Sequence, residues 1–208
     1  MTSISIKFKH TLTNNNFQNI ISGISYSTIS GFLEEGNFKV VDLLFGIEKT
    51  SLTVADQLFA HKLMAFLYEL RNTSHNSRKK QIEKVDNDSD YKIDLGDKLL
   101  FILDKCEDYE KATFIGKLFQ CFIAEKIGYD EFIRGARSIN LVCIDDLKRF
   151  IEERWMKMDL EDGADLLGAG LMDAVYSLDI DTGMNVLKLE TSYIGKKIQD
   201  LLAECTGA

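Results

Sequence analysis

The sequence predicts a mainly α protein, a multi-helix, bundle-like domain with a small C-terminal β-hairpin in a winged-helix-like tail. Its 208 residues include no proline, so the commonest helix breaker is missing. Apolar residues between positions 91 and 139 recur at steps of three and four, the spacing of one α-helix face. Near the C-terminus, two short apolar segments flank a Thr-Gly-Met-Asn turn at residues 182–185, which is typical of a hairpin. We expect about nine helices in all.

The first fifty residues are predicted to form an N-terminal arm followed by short helices. Apolar and polar residues alternate over residues 3–9, which indicates a short edge strand or an extended arm. Residues 17–33 are helical in parts but contain Gly23 and Gly31, so two short helices fit the pattern better than one. Residues 38–48 are strongly apolar and could form a buried helix or a strand, and we assign them to a helix.

A long amphipathic helix follows, with either Ser51 or Thr53 as its N-cap. Ser74 is predicted to begin a second, basic helix that continues to residue 85, and residues 86–90 are predicted to form a solvated loop. The apolar stripe of the first of these helices comprises Leu58, Leu63, Phe66, Leu67 and Leu70.

Residues 91–139 are predicted to be the best ordered part of the molecule. Asp108 precedes Glu110 and Lys111, which predicts an N-cap and an acidic first turn. The helices on either side of residues 106–108 are predicted to pack as an antiparallel hairpin. Their apolar stripes are Leu95, Leu99, Ile102 and Leu103, then Ala112, Ile115, Leu118, Phe119, Phe122 and Ile123. The predicted core comprises Leu63, Phe66, Leu99, Ile115, Phe119, Phe122 and Phe132.

The last third of the chain is predicted to form helices and the hairpin. Helices are expected at residues 129–139, 145–155, 160–177 and 194–204, with hairpin strands at 178–181 and 186–190. We therefore divide the chain into three segments that share one body. They are an arm with short helices (1–50), a central helical domain (51–158), and an acidic helix, hairpin and closing helix (159–208).

The cysteines and the N-terminus indicate the compartment. Four scattered cysteines (Cys106, Cys121, Cys143 and Cys205) form no CxxC pair and have no histidine at zinc-ligand spacing, so we expect reduced, mostly buried thiols. Residues 1–10 lack the apolar segment of a signal peptide, and the longest apolar run, residues 40–47, is interrupted by Asp42 and Gly46. We expect a cytoplasmic protein without a membrane span.

The net charge of −8 is carried by the C-terminal half. Residues 1–90 contain ten basic and ten acidic side chains, and the remainder contains 15 basic and 23 acidic ones. Between residues 158 and 181 there is no lysine or arginine, but Asp159, Glu161, Asp162, Asp165, Asp173, Asp179 and Asp181 are present. Such a surface repels a phosphate backbone, so nucleic acid is disfavoured as a partner. Asp159, Glu161, Asp162 and Asp165 are the candidate partner-binding residues.

Two small basic groups compete with this interpretation of the charge. Arg78, Lys79 and Lys80 form one, and Lys188, Lys196 and Lys197 in the winged-helix-like tail form the other. An exposed basic triplet is more often a solvated helix face than a phosphate clamp. We therefore expect no sequence-specific DNA binding.

Three segments partly match known catalytic or metal-binding motifs, but none of the matches is complete. Arg71, Asn72 and His75 are one residue short of the Arg-Asn-x-x-x-His motif of the helical toxin ribonucleases known as HEPN proteins, and they lie at a predicted helix end. Asp179, Asp181 and Glu190 match three positions of a calcium loop, but Met184 occupies the required glycine position.

The third near-motif, residues 127–132, resembles the second half of an EF-hand or of a tellurite-resistance helical fold. Glu131 would be its bidentate ligand, but Gln120, Phe122 and Ala124 stand where other carboxylates are needed. His10, His61 and His75 are too scattered for a charge relay. We therefore assign no catalytic, cofactor or metal residue and expect no cofactor.

Four segments together resemble a family of small bacterial helical proteins. They are residues 53–67 (TVADQLFAHKLMAFL), 99–104 (LLFILD), 110–119 (EKATFIGKLF) and 126–134 (KIGYDEFIR), against the family pattern RDxLFxxKLxxFL, LLLLD, EKAxLLGKLF and GKIxYxEFLR. The resemblance covers about residues 30–150. Here Val54 and Ala55 precede Asp56 where the family has Arg-Asp, Glu125 replaces a glycine, and an Ile-Pro pair near residue 40 is missing. The resemblance implies a helical fold and a bacterial origin, and no activity.

Three functional classes remain. The favoured one is a non-enzymatic protein-interaction or regulatory module, with an accessory or immunity-like role in a bacterial conflict or phage-defence system by analogy. The alternatives are a divergent HEPN-like nuclease, which depends on Arg71 and His75, and a winged-helix-like DNA-binding regulator, which depends on the lysines of the tail. We expect a protein partner, with a homo-oligomer as one option.

Overall fold

The computed structural model describes residues 3–22, 53–89, 94–178 and 185–206. Within these ranges the chain forms ten α-helices, one short 3₁₀ helix and a three-stranded antiparallel sheet. The predicted fold class, mainly α with a small C-terminal hairpin, is confirmed. The helix predicted at residues 38–48 and the turn beginning at residue 182 lie outside the described residues, except for Asn185.

Within the described residues, the first compact unit, Met1–Tyr129, contains six helices and the 3₁₀ helix. They are α1 (Ser3–Leu12), α2 (Phe17–Ile21), α3 (Val54–Glu69), the 3₁₀ helix Leu70–Asn72, α4 (His75–Asp86), α5 (Leu95–Asp104) and α6 (Tyr109–Ile123).

The second compact unit, Asp130–Ala208, contains the sheet. Its elements are α7 (Tyr129–Leu141), α8 (Ile144–Glu152), β1 (Lys157–Asp159), α9 (Leu160–Gly168), β2 (Met172–Leu178), β3 (Asn185–Thr191) and α10 (Tyr193–Thr206). The three-segment division at residues 50 and 158 stays a prediction, because compact units are defined by contacts and not by independent folding.

The core of the first unit is built on α3 and α6, which pack along each other. Phe66 of α3 and Phe119 of α6 have ring centroids 5.4 Å apart, and Phe119 lies 5.6 Å from Phe122. All seven predicted core residues are buried, whereas Leu58, predicted in the stripe of α3, is 45% exposed. The predicted hairpin of α5 and α6 is wrong, because α6 packs chiefly on α3 while α5 packs on α1 and α3.

The strand or arm predicted at residues 3–9 is also wrong, because these residues begin α1. Phe8 and Leu12, one helical turn apart, are both buried, and Ile6 is exposed. The amine of Lys9 lies 2.5 Å from the carboxylate of Asp86 and 2.9 Å from that of Asp94. Burial lowers the pKa of Lys9, but its bonds to these carboxylates outweigh burial and raise that pKa above its ordinary value.

Side-chain caps begin the helices where the sequence predicts them. Thr53, and not Ser51, caps α3 in a capping box with Asp56. Ser74 accepts from the backbone N–H of Ser77 at the start of α4, and Asp108 accepts from that of Lys111 at the start of α6. These local bonds satisfy N–H groups that have no partner inside the helix, which explains why the helix starts are readable from sequence.

The helix predicted over residues 160–177 is wrong beyond Gly168. The N–H of Gly170 donates to the carbonyl of Leu167 and the N–H of Leu171 to that of Leu166, which together form a Schellman turn with Gly170 at φ 77°. The chain then enters β2, which pairs with β3, and β3 also pairs with β1, giving the order β1-β3-β2. The predicted β-hairpin is confirmed, but its first strand begins at Met172 and not at residue 178.

α8 also ends earlier than predicted, at Glu152, and packs against α10. Arg154, just after it, has φ 49°, a left-handed conformation that turns the chain towards β1. In the part of the chain that the structure describes, no helix combines the length and the apolar character needed to cross a membrane.

Candidate functional site

The four predicted partner-binding residues share one groove of about 790 Å³ in the second unit, here called the acidic groove. It is lined by Asp146, Arg149, Glu153, Trp155, Lys157, Met158, Asp159, Glu161, Asp162, Ala164, Asp165 and Leu166. Six of these side chains are carboxylates and two are cations, so the groove is negative. Asp159, Glu161, Asp162 and Asp165 are all exposed.

Three consecutive elements supply the lining. α8 contributes Asp146 and Arg149, β1 contributes residues 157–159, and the N-terminal half of α9 contributes the acidic cluster. Glu161 and Asp162 occupy the first turn of α9, where the helix dipole favours negative charge. Asp159 is the N-cap residue, but its carboxylate makes no capping hydrogen bond. These carboxylates therefore face solvent and are available to a partner.

Both cations of the groove lie close to glutamates. The guanidinium of Arg149 lies 3.7 Å from the Glu153 carboxylate and 5.0 Å from the centre of the Trp155 ring. The amine of Lys157 lies 2.8 Å from the carboxylate of Glu190 on β3. The cations therefore offset little of the negative charge of α9.

Trp155 gives the groove a fixed aromatic wall. Its carbonyl accepts hydrogen bonds from Thr191 Oγ1 and from Gln199 Nε2, and its indole N–H donates to the Glu153 carboxylate. Next to it in the chain, Met156 is 60% exposed, and Leu160 at the start of α9 is also exposed. The groove and its neighbours thus combine carboxylates with apolar surface.

Sequence reasoning found the α9 half of the groove and missed the α8 half. Asp146, Arg149 and Glu153 are spaced at steps of three and four, a signal that could have placed them on one helix face. Asp173 is exposed on β2 and does not line the groove, and Asp179 and Asp181 lie outside the described residues. Of the described acidic residues in the predicted stretch 158–181, those on β1 and α9 line the acidic groove and Asp173 does not.

The HEPN-like residues have separate partners. Arg71 donates to the carbonyl of Tyr68 at 3.0 Å and lies over the Tyr68 ring at 4.0 Å. Nε2 of His75 lies 2.8 Å from the carbonyl of Thr13. In the described ranges no hydrogen bond joins Arg71 to His75, so the two side chains do not form the paired arrangement that the motif would require.

The expected basic triplet of α4 is not an exposed one, because Arg78 is 1% exposed. Its guanidinium donates to the carbonyls of Leu12 and Thr73 and lies 3.9 Å from the centre of the Phe17 ring. Burial lowers the pKa of Arg78 to about 10, which leaves it charged at neutral pH. Lys79 and Lys80 are exposed, and each lies within salt-bridge distance of a glutamate.

In the tail, Lys188 and Lys196 are exposed, and Lys197 lies 3.8 Å from the Glu131 carboxylate. Glu131, the predicted closing ligand of the EF-hand-like segment, also accepts from the hydroxyl of Tyr193. Glu190 of the calcium-loop match pairs with Lys157. Among the residues that the structure describes, no group of three or more His, Cys, Asp or Glu side chains could hold a metal ion.

Lys62 and Lys111, which belong to the family-like segments 53–67 and 110–119, both bind the loop between α5 and α6. The amine of Lys62 donates to the carbonyls of Asp104 and Cys106 at 3.1 and 2.9 Å, and the amine of Lys111 lies 2.7 Å from the Glu107 carboxylate. Both lysines are buried. Lys62 holds the C-terminal end of α5 in place, where a cation is favoured by the helix dipole, and Lys111 is paired with the loop residue Glu107. Their position in the motifs therefore has a structural explanation.

The cysteines differ from one another in exposure. Cys106 and Cys121 are buried free thiols, as predicted, but Cys143 is exposed, and the side chain of Cys205 lies outside the described part. Burial raises the pKa of Cys106 to about 12, against the smaller opposing effect of Lys62. The Cys106 thiol is therefore protonated at neutral pH.

No protein-family model matches the chain, and comparison with curated proteins and with solved structures finds no significant match. The resemblance to the family of small bacterial helical proteins therefore stays a prediction.

Proposed function

We propose that the protein is a non-enzymatic interaction module that binds a basic, partly apolar segment of a partner protein in the acidic groove. One observation carries the proposal: the four exposed carboxylates of β1 and α9 share a groove with an anchored tryptophan, and both cations of that groove lie near glutamates.

Each component of the groove has a physical role in this binding. Uncompensated carboxylates attract a basic segment over a distance of about 10 Å at moderate salt, which accelerates encounter. Carboxylates alone give little affinity at an exposed site. Trp155 and the exposed Met156 supply apolar contact area, and buried aromatic anchors contribute most of the binding energy in protein interfaces. The partner should therefore present lysine or arginine beside apolar residues.

The same charges oppose the DNA-binding alternative. α9 follows β1 in the winged-helix-like tail, and its first turns carry Glu161, Asp162 and Asp165 towards solvent. A phosphate backbone would be repelled there. The nuclease alternative lacks support from geometry, because Arg71 and His75 have separate partners. An accessory or immunity-like role in a bacterial conflict system extends the proposal by analogy.

Affinity capture from the native host tests the proposal with variants that keep side-chain shape. The groove variant combines Asp159→Asn, Glu161→Gln, Asp162→Asn and Asp165→Asn. The matched control makes the same net charge change at exposed positions that do not line the groove, with Glu83→Gln, Asp104→Asn, Asp130→Asn and Glu152→Gln. We expect the native protein and the control to retain the same partner and the groove variant to lose it.

Two outcomes would count against the proposal. One is an unchanged set of captured proteins for the groove variant. The other is degradation of RNA by the purified protein that disappears in His75→Ala, which would favour the nuclease alternative. The two outcomes are measured independently, because His75 does not line the acidic groove.

A further inference from the structure

A second cavity of the same unit, of about 430 Å³, differs in charge from the acidic groove. One wall is a face of α7 with Arg134, Arg137, Ser138 and Leu141, spaced at steps of three and four. Another wall is the start of α10, with Tyr193 and Ile194. We call it the arginine cavity.

We propose that the arginine cavity binds an oxyanion, a phosphate or carboxylate group, that is attached to a small apolar or aromatic group. The inference does not rest on the acidic groove or on the function proposed for it.

The two arginines are the first observation. All six arginines of the chain lie in described residues, and four of them contact a carboxylate, a carbonyl or an aromatic ring. Arg134 and Arg137 are exposed and have no such contact within the described ranges. Among the residues that the structure describes, Asp173 is the single carboxylate that lines the cavity. The described lining therefore carries two guanidinium groups against one carboxylate, a positive balance in a protein of net charge −8.

The hydroxyl of Ser138 is the second, independent observation. Ser138 is 5% exposed and lines the cavity, yet its hydroxyl makes no hydrogen bond to any residue that the structure describes. A helical serine often bonds to a carbonyl of the preceding turn, whereas the hydroxyl of Ser138 remains free to donate at the wall of the cavity. A bound oxyanion that accepts from this hydroxyl would satisfy it.

The start of α10 adds backbone donors. Ser192 caps the helix, with its hydroxyl oxygen accepting from the N–H of Gly195 at 2.9 Å and its O–H donating to the carbonyl of Gly170. The N–H groups of Tyr193 and Ile194 are the first two of a 14-residue helix and have no acceptor within it. Together with the helix dipole, they favour an anion at this end.

The apolar part of the ligand follows from the remaining lining. Leu141 is 58% exposed and Tyr193 is 63% exposed, although both line a concave surface. An apolar or aromatic group beside the oxyanion would cover these side chains. Phenyl phosphate and benzoate carry both features, whereas inorganic phosphate carries the charge alone.

The test is a titration of the ¹⁵N-labelled full chain with phenyl phosphate, benzoate and inorganic phosphate, followed by amide chemical shifts at low ionic strength. We expect saturable shifts at Ser138, Tyr193 and Ile194, with the aromatic ligands bound more tightly than inorganic phosphate. Arg134→Gln with Arg137→Gln should weaken binding at least about tenfold, as the loss of charge-assisted hydrogen bonds predicts.

Two further variants make the titration decisive. Ser138→Ala should weaken binding by a smaller factor, about threefold to tenfold, because one neutral donor is lost. Lys79→Gln with Arg154→Gln removes the same charge outside the arginine cavity and should leave the affinity unchanged. If the two double variants lose the same amount of affinity, the effect depends only on the net charge of the protein, and the proposal is overturned. Absence of saturable shifts at Ser138 and Tyr193 would also overturn it.

Discussion

Arg78 in the first unit and Arg134 in the second unit have opposite environments although both lie on helices. The guanidinium of Arg78 is buried, donates to two backbone carbonyls and lies over the Phe17 ring. Arg134 is exposed on the wall of a cavity and has no partner within the described ranges. The difference arises because the carbonyl of Leu12, supplied by a segment 66 residues earlier, meets Arg78. Residue type alone therefore does not separate a structural cation from a binding one.

The same contrast extends to other charged residues of the two units. In the first unit Lys9, Lys62 and Lys111 tie helix ends and loops together through carbonyls and carboxylates. In the second unit the carboxylates of α9 face solvent. Loss of charge should therefore reduce stability in the first unit and reduce binding in the second.

The largest loss of stability is expected for a substitution in the core of the first unit. Phe119→Ala should lower the free energy of unfolding by about 3–5 kcal/mol, because a fully buried ring between Phe66 and Phe122 is removed. Phe101→Ala is the matched control, since that ring is 58% exposed, and it should change stability by less than about 0.5 kcal/mol. Urea unfolding followed by far-UV circular dichroism measures both. Equal losses for the two variants would contradict the α3–α6 core.

Arg78→Met tests whether a charged residue of the first unit is structural. The carbonyls of Leu12 and Thr73 would lose their donor inside the unit, so we expect a loss of about 1.5–3 kcal/mol in urea unfolding. Lys79→Met, the neighbouring exposed position, should stay within about 0.5 kcal/mol. If neither substitution changes the free energy of unfolding, Arg78 has no structural role and is a solvated basic residue, as the sequence predicts.

Close backbone packing of the second unit is tested at its glycines. A Cβ at position 195 would lie 2.1 Å from the carbonyl oxygen of Leu171, so Gly195→Ala should cost about 1–3 kcal/mol. A Cβ at position 168 would meet nothing within 4 Å, so Gly168→Ala should be neutral or slightly stabilising. Thermal unfolding of the two variants checks this order, and a stable Gly195→Ala protein would place α10 differently.

The smallest effect on stability is expected for the groove variant, which changes Asp159, Glu161, Asp162 and Asp165 to their amides. These side chains are exposed, so the free energy of unfolding should shift by no more than about 0.5 kcal/mol. Asn remains a good N-cap at position 159. A loss comparable with that of Arg78→Met would mean that the carboxylates serve the fold and not a partner.

Elements fixed by local chemistry could be predicted from sequence. The caps at Thr53, Ser74 and Asp108 and the stripes of α3 and α6 lie within a few residues of the structure they specify. The end of α9 could not be placed, because apolar residues continue past Gly168 and the Schellman turn at Gly170 depends on backbone conformation.

Features that depend on distant parts of the chain were missed. The helical state of residues 3–12 is favoured by burial of Phe8, whose ring lies 6.3 Å from that of Phe66. The acidic groove was half predicted, since the charge run of α9 is visible in sequence while the contribution of Asp146 and Trp155 needs the turn at Arg154. Periodicity describes one element at a time, so it gives no partner for a helix face.

Trp155 offers the most direct measurement of the proposed binding, because it is the sole tryptophan and lines the acidic groove. Its fluorescence would be followed while a helical peptide with lysines on one face and leucines on the other is added at low salt. We expect a saturable change in emission, with a Kd that rises at least about tenfold, or 1.4 kcal/mol, in the groove variant and stays unchanged in the matched control. The same Kd in all three proteins would contradict a partner-binding role for Asp159, Glu161, Asp162 and Asp165.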